Sequence, residues 1–190
     1  VLAATGLLTA LVLPMPLYGW QGTVALHRDW WRTVTESTAP NLLNADNVSL
    51  AAMYAKWIGT GGLSAALAVA TGAALLAVAA FAFVRGRALL RPEGLEAALL
   101  LTLIPLLSPQ GWDYVFLIAT PAVVFFLNYD RELPPALRVA AWLALAIAGF
   151  TLYDVVGKRV YGYFMAWSVV SVCYLLVIGS LAALRSRRVA

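Results

Sequence analysis

Uncharged, largely apolar stretches follow one another along this chain, separated by short polar or basic connections. With His27 counted as neutral, they cover 1–27, 57–84, 97–112, 114–129, 139–153 and 160–184. Crossing the hydrocarbon layer takes about 20 helical residues, and fewer where charged ends reach back to the headgroups, so the pattern predicts about six spans, two of them short. The predicted class is all-α. It is a polytopic transmembrane helical bundle forming one membrane domain over 1–190, with no room for a separate soluble domain.

One polar heptapeptide, Ser108-Pro109-Gln110-Gly111-Trp112-Asp113-Tyr114, splits a long apolar run into Leu95 to Leu107 and Val115 to Leu127. Pro105 and Pro109 disfavour continuing the first helix, because proline lacks a backbone donor and clashes with the preceding turn. Gly111 supplies a residue able to take a left-handed turn. The prediction is a helical hairpin over 95–128 with its tip at 108–114. Trp112 and Tyr114 suit a headgroup level, having one apolar end and one wet end. Asp113 between them needs water, a partner or a substrate. Its plainer role is capping a helix that starts at Tyr114.

The longest polar segment, 19–57, reads as an outer-face loop carrying interfacial amphipathic helices. Leu26, Trp30 and Val34 repeat at helical spacing while Arg28 and Arg32 share a neighbouring face, the pattern of a helix lying on a membrane surface. Pro40 is expected to interrupt, and 41–47 is rich in cap residues. A second helix should start near Asn47 or Ser49, with Leu50, Met53, Tyr54 and Trp57 on one face. It leads into a Gly/Ala-rich span from about Ile58 to Val84. Later spans are expected from about Arg138 to Tyr153 and from Tyr161 to Leu184.

Composition agrees with the pattern: 63% hydrophobic against 12% charged residues excludes a soluble globular domain. The formal net charge of +4 does not signal nucleic-acid binding, because the basic residues sort by membrane side. With a cytoplasmic carboxyl terminus, that side holds Arg85, Arg87, Arg91, Arg131, Arg138, Arg185, Arg187 and Arg188. The other holds Arg28, Arg32, Lys56, Lys158 and Arg159. Segment 19–57, tip 108–114 and loop 154–160 then share the outer side and are able to line one site. The chain starts with Val1 inside an apolar stretch, without the basic region or cleavage site of a signal peptide. It therefore reads as the carboxyl-terminal part of a longer protein. Single residues of cysteine (Cys173) and histidine (His27) leave neither a disulfide framework nor a metal centre to expect.

Candidate chemistry gathers on that outer side. A phosphate loop, a nucleophile elbow and a metal-spaced cluster are all absent from the sequence. Proton transfer would fall to Asp29, Glu36, Asp46, Asp113, Asp154 or His27, with Asp113 the best placed. Aromatic faces beside a carboxylate suit sugar recognition. Lys158 and Arg159 read as solvated loop charges or headgroup contacts first, and as cations for a lipid phosphate or diphosphate second. Asn47 and Ser49 are helix caps first and ligand contacts second. His27 reads as a surface histidine.

Three features together resemble the carboxyl-terminal half of glycosyltransferase family 87, the polyprenyl-phosphate-mannose-dependent mannosyltransferases of the GT-C superfamily. They are Trp31-Arg32-Thr33-Val34 followed by Asn47-Val48-Ser49-Leu50 and Ala55-Lys56-Trp57; Leu107-Ser108-Pro109-Gln110-Gly111-Trp112-Asp113; and short spans with Arg-rich cytoplasmic ends. Relatives commonly show Asn-Gln-Ser-Leu with a following basic residue, and Ser-Pro-x-x-Trp-Asp at an outer hairpin tip. Val48 departs from the first motif. Tyr114 stands where many relatives have histidine, so that histidine's role does not carry over. The resemblance implies a GT-C-like fold and an inverting, cofactor-free transfer of a hexose, mannose first. The donor would be a polyprenyl-phosphate sugar and the acceptor a lipid or glycan, at the outer face of a bacterial inner (plasma) membrane. It further implies a substrate site of Asn47, Ser49, Ser108, Trp112, Asp113, Tyr114, Lys158 and Arg159. The catalytic aspartate of such enzymes lies in a first outer loop upstream of these residues, with Asp113 the weaker candidate here. A transporter or flippase-like protein, a non-catalytic membrane subunit and an inactive relative are the alternatives; a transporter should show repeat symmetry and polar breaks at mid-membrane, neither of which is evident.

Overall fold

The computed structural model of the chain describes residues 2–85 and 92–186, and these are helical without a strand. The basic connection at 86–91 and the Arg187-Arg188 end lie outside the described residues. Two compact units divide the chain, 1–40 and 41–190.

In the first unit, α1 (Leu2–Val12) is followed by α2 (Met15–Asn41), whose last residue belongs to the second unit. The apolar run expected to reach Tyr18 is broken. Pro14 and Pro16 deprive the backbone of donors, and Gly19, at φ 65°, turns the chain out of helical geometry. Beyond Gly19 the helix continues to Asn41, so the amphipathic stretch 26–34 lies inside one longer helix. Pro40 falls in its last turn rather than in a loop. Asp29 and Arg32 pair at 3.1 Å on an exposed face, an interaction worth at most about 1 kcal/mol.

The second unit holds α3 (Leu50–Ile58), α4 (Gly62–Arg85), α5 (Pro92–Leu107), a 3-10 segment Asp113–Ala119, α6 (Thr120–Tyr129), α7 (Pro135–Phe150), α8 (Tyr153–Ala166) and α9 (Val169–Ser186). Ser49 caps α3 by accepting from the Ala52 N–H, and Gly59, at φ 85°, ends it. The expected single run from Ile58 is thus a glycine turn followed by α4. Among the described helices, α4 (over Gly62–Val84) and α9 are long and apolar enough to cross a membrane. The bent pair α7 and α8 makes a third if it counts as one broken span. These helices make the chain consistent with a membrane protein.

The two candidate spans differ in setting: 17% of α4 is buried within the protein against 56% of α9, so α9 is the central helix and α4 presents most of its surface outward. Helices α7, α5 and α4 pack on α9. Ala141 and Ala144 on α7 are buried in the core with Val177, Ile178 and Leu181 of α9, as are Leu99, Leu103 and Phe126. Small residues of this kind allow close approach of helix backbones.

One expected run ends in a bend and another is cut by one. Helix α8 leaves α7 at 105°, and the run expected from Tyr161 to Leu184 is cut at Trp167–Ser168, where Ser168 takes φ 53°. Arg185, counted from sequence among the basic residues at a span end, is buried, at 6% exposed. Its Nε and Nη2 donate to Glu96 Oε1 of α5 at 2.9 and 2.6 Å.

The hairpin over 95–128 is present, with one change of detail. Gly111 does not adopt a left-handed conformation; a side chain there would land on the carbonyl oxygen of Pro105. The glycine is needed for close backbone approach, and backbone cannot step aside as a flexible side chain can. Gly111→Ala is accordingly expected to destabilise the protein by about 3 kcal/mol or more, measured as a lowered unfolding midpoint in detergent. Glu96→Ala should cost about 3–5 kcal/mol by stranding a buried guanidinium. An unchanged midpoint would show that Arg185 finds another partner.

Candidate functional site

The polar residues of 41–49 form one knot with the hairpin tip. Asn44 Oδ1 accepts from the Asp46 N–H at 3.1 Å, turning the chain back after α2. Asn47 then pairs with Trp112 in an isolated antiparallel bridge: Val48 N–H donates to Gly111 O at 2.6 Å and Asp113 N–H to Asp46 O at 3.2 Å. This short backbone contact binds the tip to the segment before α3.

Side chains complete the junction. Asn47, fully buried, donates from Nδ2 to Asn41 O at 3.1 Å and to Pro109 O at 3.0 Å, and its Oδ1 accepts from the Ser49 N–H at 3.0 Å. Ser49 Oγ also reaches Pro109 O, at 3.4 Å. Ser171 of α9 donates to Val48 O at 2.8 Å. Lys56, on the last turn of α3, donates to Ala45 O and Asn47 O at 2.8 Å and to Met165 O at 3.1 Å. An ammonium has three donors, so these three carbonyls saturate it. Burial pushes the Lys56 ammonium down to about 8 while the Asp46 carboxylate pulls it up, which leaves it mostly charged at neutral pH.

At the outer edge of the knot two carboxylates converge on one phenol. Tyr161 OH lies 2.7 Å from Asp46 Oδ1 and 2.9 Å from Asp113 Oδ2. With one proton to give, the phenol serves one carboxylate at a time, and the other has an acceptor oxygen open to a hydroxyl or water. Asp113 is not the cap expected of it. The 3-10 segment begins at Asp113 itself, Trp112 occupies the cap position without a side-chain bond, and Asp113 Oδ1 accepts from the Tyr114 N–H at 2.7 Å.

Asp113 also lines a cavity of about 350 Å³ that opens to the surface. Its walls are mostly apolar, from Leu117, Val123, Leu145 and Val170, with the hydroxyl residues Thr120 and Thr151. The rings of Phe116 and Tyr174 lie on one side, stacked with centroids 3.4 Å apart. The arrangement is a mostly apolar cavity with one acidic residue, Asp113, in its lining.

The residues anticipated from sequence separate into three groups. Asn47 and Ser49 are buried and committed to holding the tip. Ser108 and Trp112 are half-buried parts of the tip backbone, while Tyr114 is 65% exposed beside Asp113. Lys158 and Arg159 are exposed on α8 and form no hydrogen bond or ion pair with a described residue. Of the proton-transfer candidates in the second unit, Asp46 joins Asp113, and Asp154 stays exposed at the start of α8. In the first unit His27 Nδ1 lies 2.7 Å from Thr23 O, one turn back in its own helix. Asp29, Glu36, Arg28 and Arg32 are in that unit too. Tyr161 and the clamp role of Lys56 were missed. A tyrosine at the start of an apolar run gives no signal of its own, and only the break at Trp167–Ser168 turns α8 so that it reaches two carboxylates. Among the described residues no group of three or more His, Cys, Asp or Glu side chains is placed to hold a metal ion. Comparison with known proteins finds no matching family model, curated sequence or solved structure.

The knot and the edge should respond differently to mutation. Asn47→Ala removes two donors and an acceptor from a fully buried junction, and a loss of about 3 kcal/mol or more is expected. Tyr161→Phe removes one hydroxyl from partly exposed carboxylates that water can reach, at about 1 kcal/mol or less. Unfolding midpoints of the two variants in one detergent compare these losses directly; equal losses would make Tyr161 a structural residue as well.

Proposed function

We propose that the chain is part of a membrane-embedded, GT-C-like glycosyltransferase with about six membrane crossings. It transfers a hexose, mannose first, from a polyprenyl-phosphate donor to a lipid or glycan acceptor on the outer face of a bacterial inner membrane. One observation supports this reading most: a mostly apolar cavity has Asp113 in its lining, and the Asp113 carboxylate converges with that of Asp46 on Tyr161. A prenyl chain matches the apolar walls, and sugar hydroxyls match acceptor oxygens. The resemblance of Ser108-Pro109-Gln110-Gly111-Trp112-Asp113 to the tip motif of family 87 points the same way.

In this reading Asp113 and Asp46 accept hydrogen bonds from sugar hydroxyls, and Tyr161 sets their separation. Tyr114 and Trp112 offer ring faces for the sugar. Inverting transfer breaks the bond between the anomeric carbon and the donor phosphate oxygen, which leaves with the electron pair. The acceptor hydroxyl oxygen forms the new bond from the opposite face, and a base takes its proton. Lys56 is not the cation that meets the departing phosphate, because its donors are already committed to three carbonyls.

Binding of the donor is the step to test, since it does not depend on where the base lies. The chain in nanodiscs is expected to retain radiolabelled polyprenyl-phosphate-mannose. Asp113→Asn should weaken retention about tenfold, the loss of a charged hydrogen bond to a hydroxyl. Leu117→Trp, which fills the cavity, should do so regardless of the sugar. Retention unaffected by either variant would remove the site from the function. Retention of prenyl phosphates with no dependence on the sugar, and no transfer to a crude lipid acceptor, would favour a flippase-like or non-catalytic membrane protein instead.

A further inference from the structure

We infer that α8 is an interfacial helix that lies in the headgroup layer and pairs with the phosphates of anionic lipids through Lys158 and Arg159. This rests on the chain being membrane-embedded and not on the transfer reaction. Helix α7 packs along the span candidate α9, and α8 leaves α7 at 105°. With α7 and α9 across the bilayer, α8 runs along its surface. Its basic part is bounded by Gly157 at φ 75° and Ser168 at φ 53°, so the direction is set by backbone turns at both ends.

At about 100° per residue, the helix after Gly157 has three faces. Tyr161 and Met165 face the protein, through the two carboxylates and through the Lys56 ammonium on Met165 O. Val160, Tyr163 and Trp167 form an exposed apolar face, with Tyr163 and Trp167 at 62% and 58%. Arg159 stands between these faces, and Lys158, the first residue after the Gly157 bend, is on the side of Tyr161 and Met165; both are exposed and form no hydrogen bond or ion pair with a described residue. Aromatic rings beside free cations match a headgroup layer, where rings sit at the boundary and cations meet phosphate.

Neighbouring segments carry the same signature. Trp57, 43% exposed, donates from Nε1 to Trp167 O at 3.1 Å, and Tyr114, 65% exposed, follows the Asp113 that Tyr161 bonds. Three segments distant in sequence thus place exposed rings around α8, as an aromatic belt requires. The acidic groups near α8 do not oppose this placement. Asp46 and Asp113 are on its protein side, and Asp154 is exposed in its first turn, before the Gly157 bend.

The test uses the chain in nanodiscs of phosphatidylcholine with a minor fraction of phosphatidylglycerol. A nitroxide is placed by Tyr163→Cys in a Cys173→Ala background, and its collisions with oxygen and with a water-soluble nickel chelate give its depth. The expected position is the headgroup–acyl boundary. In parallel, spin-labelled phosphatidylglycerol and phosphatidylcholine report headgroup selectivity. The wild-type chain should prefer the anionic lipid, and Lys158→Gln with Arg159→Gln should lower that preference, by roughly fivefold for each cation. A label as accessible to nickel as one in water would overturn the inference, as would absence of the preference or its persistence in the double variant.

Discussion

Everything in the second unit depends on satisfying the backbone of a short non-helical segment, 44–48, where it is pressed against a hairpin tip. Buried N–H and C=O groups without partners are too costly to leave unpaired. Here the partners come from three directions: the tip backbone, the Lys56 ammonium and the Ser171 hydroxyl. Each belongs to a different part of the chain. The knot therefore ties α3, the hairpin, α8 and α9 together where apolar packing alone would leave their ends free to splay.

Site geometry follows from that knot. The antiparallel bridge runs Asp46 and Asp113 side by side in register, one residue from the paired Asn47 and Trp112. Two carboxylates thereby come close on the same edge, a position that like charges would not choose unaided. The Tyr161 phenol between them and the Lys56 charge next to Asp46 moderate the repulsion. A cavity of mostly apolar walls has Asp113 in its lining. Structural rigidity and candidate chemistry share one construction, in which the buried members hold and the exposed members are available.

Much of this was legible from residue order. Ser49 as a cap, the face of α3, the hairpin and the unusual Asp113 all follow from local rules of helix ends, periodicity and proline. Other readings failed for identifiable reasons. From sequence Arg185 reads only as one of the basic residues at a span end, because its partner Glu96 is far away in sequence and sits on another helix. Gly111 looked like a turn glycine, when the carbonyl of Pro105 is what excludes a side chain. Tyr161 looked like the first residue of a span, and only the bends around α8 make it a bridge.

Sequence by itself determined the class of the protein: the density of apolar residues, the placement of proline and glycine, and the charge at segment ends demand helices that bury their backbone bonds within themselves. Those are local quantities, set by neighbours a few residues apart. Tertiary structure alone decided which polar groups hold the fold and which remain available. Lys56, Asp46 and Tyr161 are all polar residues near apolar runs, indistinguishable by pattern. Their roles differ because a hydrogen bond depends on distances between residues up to 115 positions apart, which no local periodicity encodes.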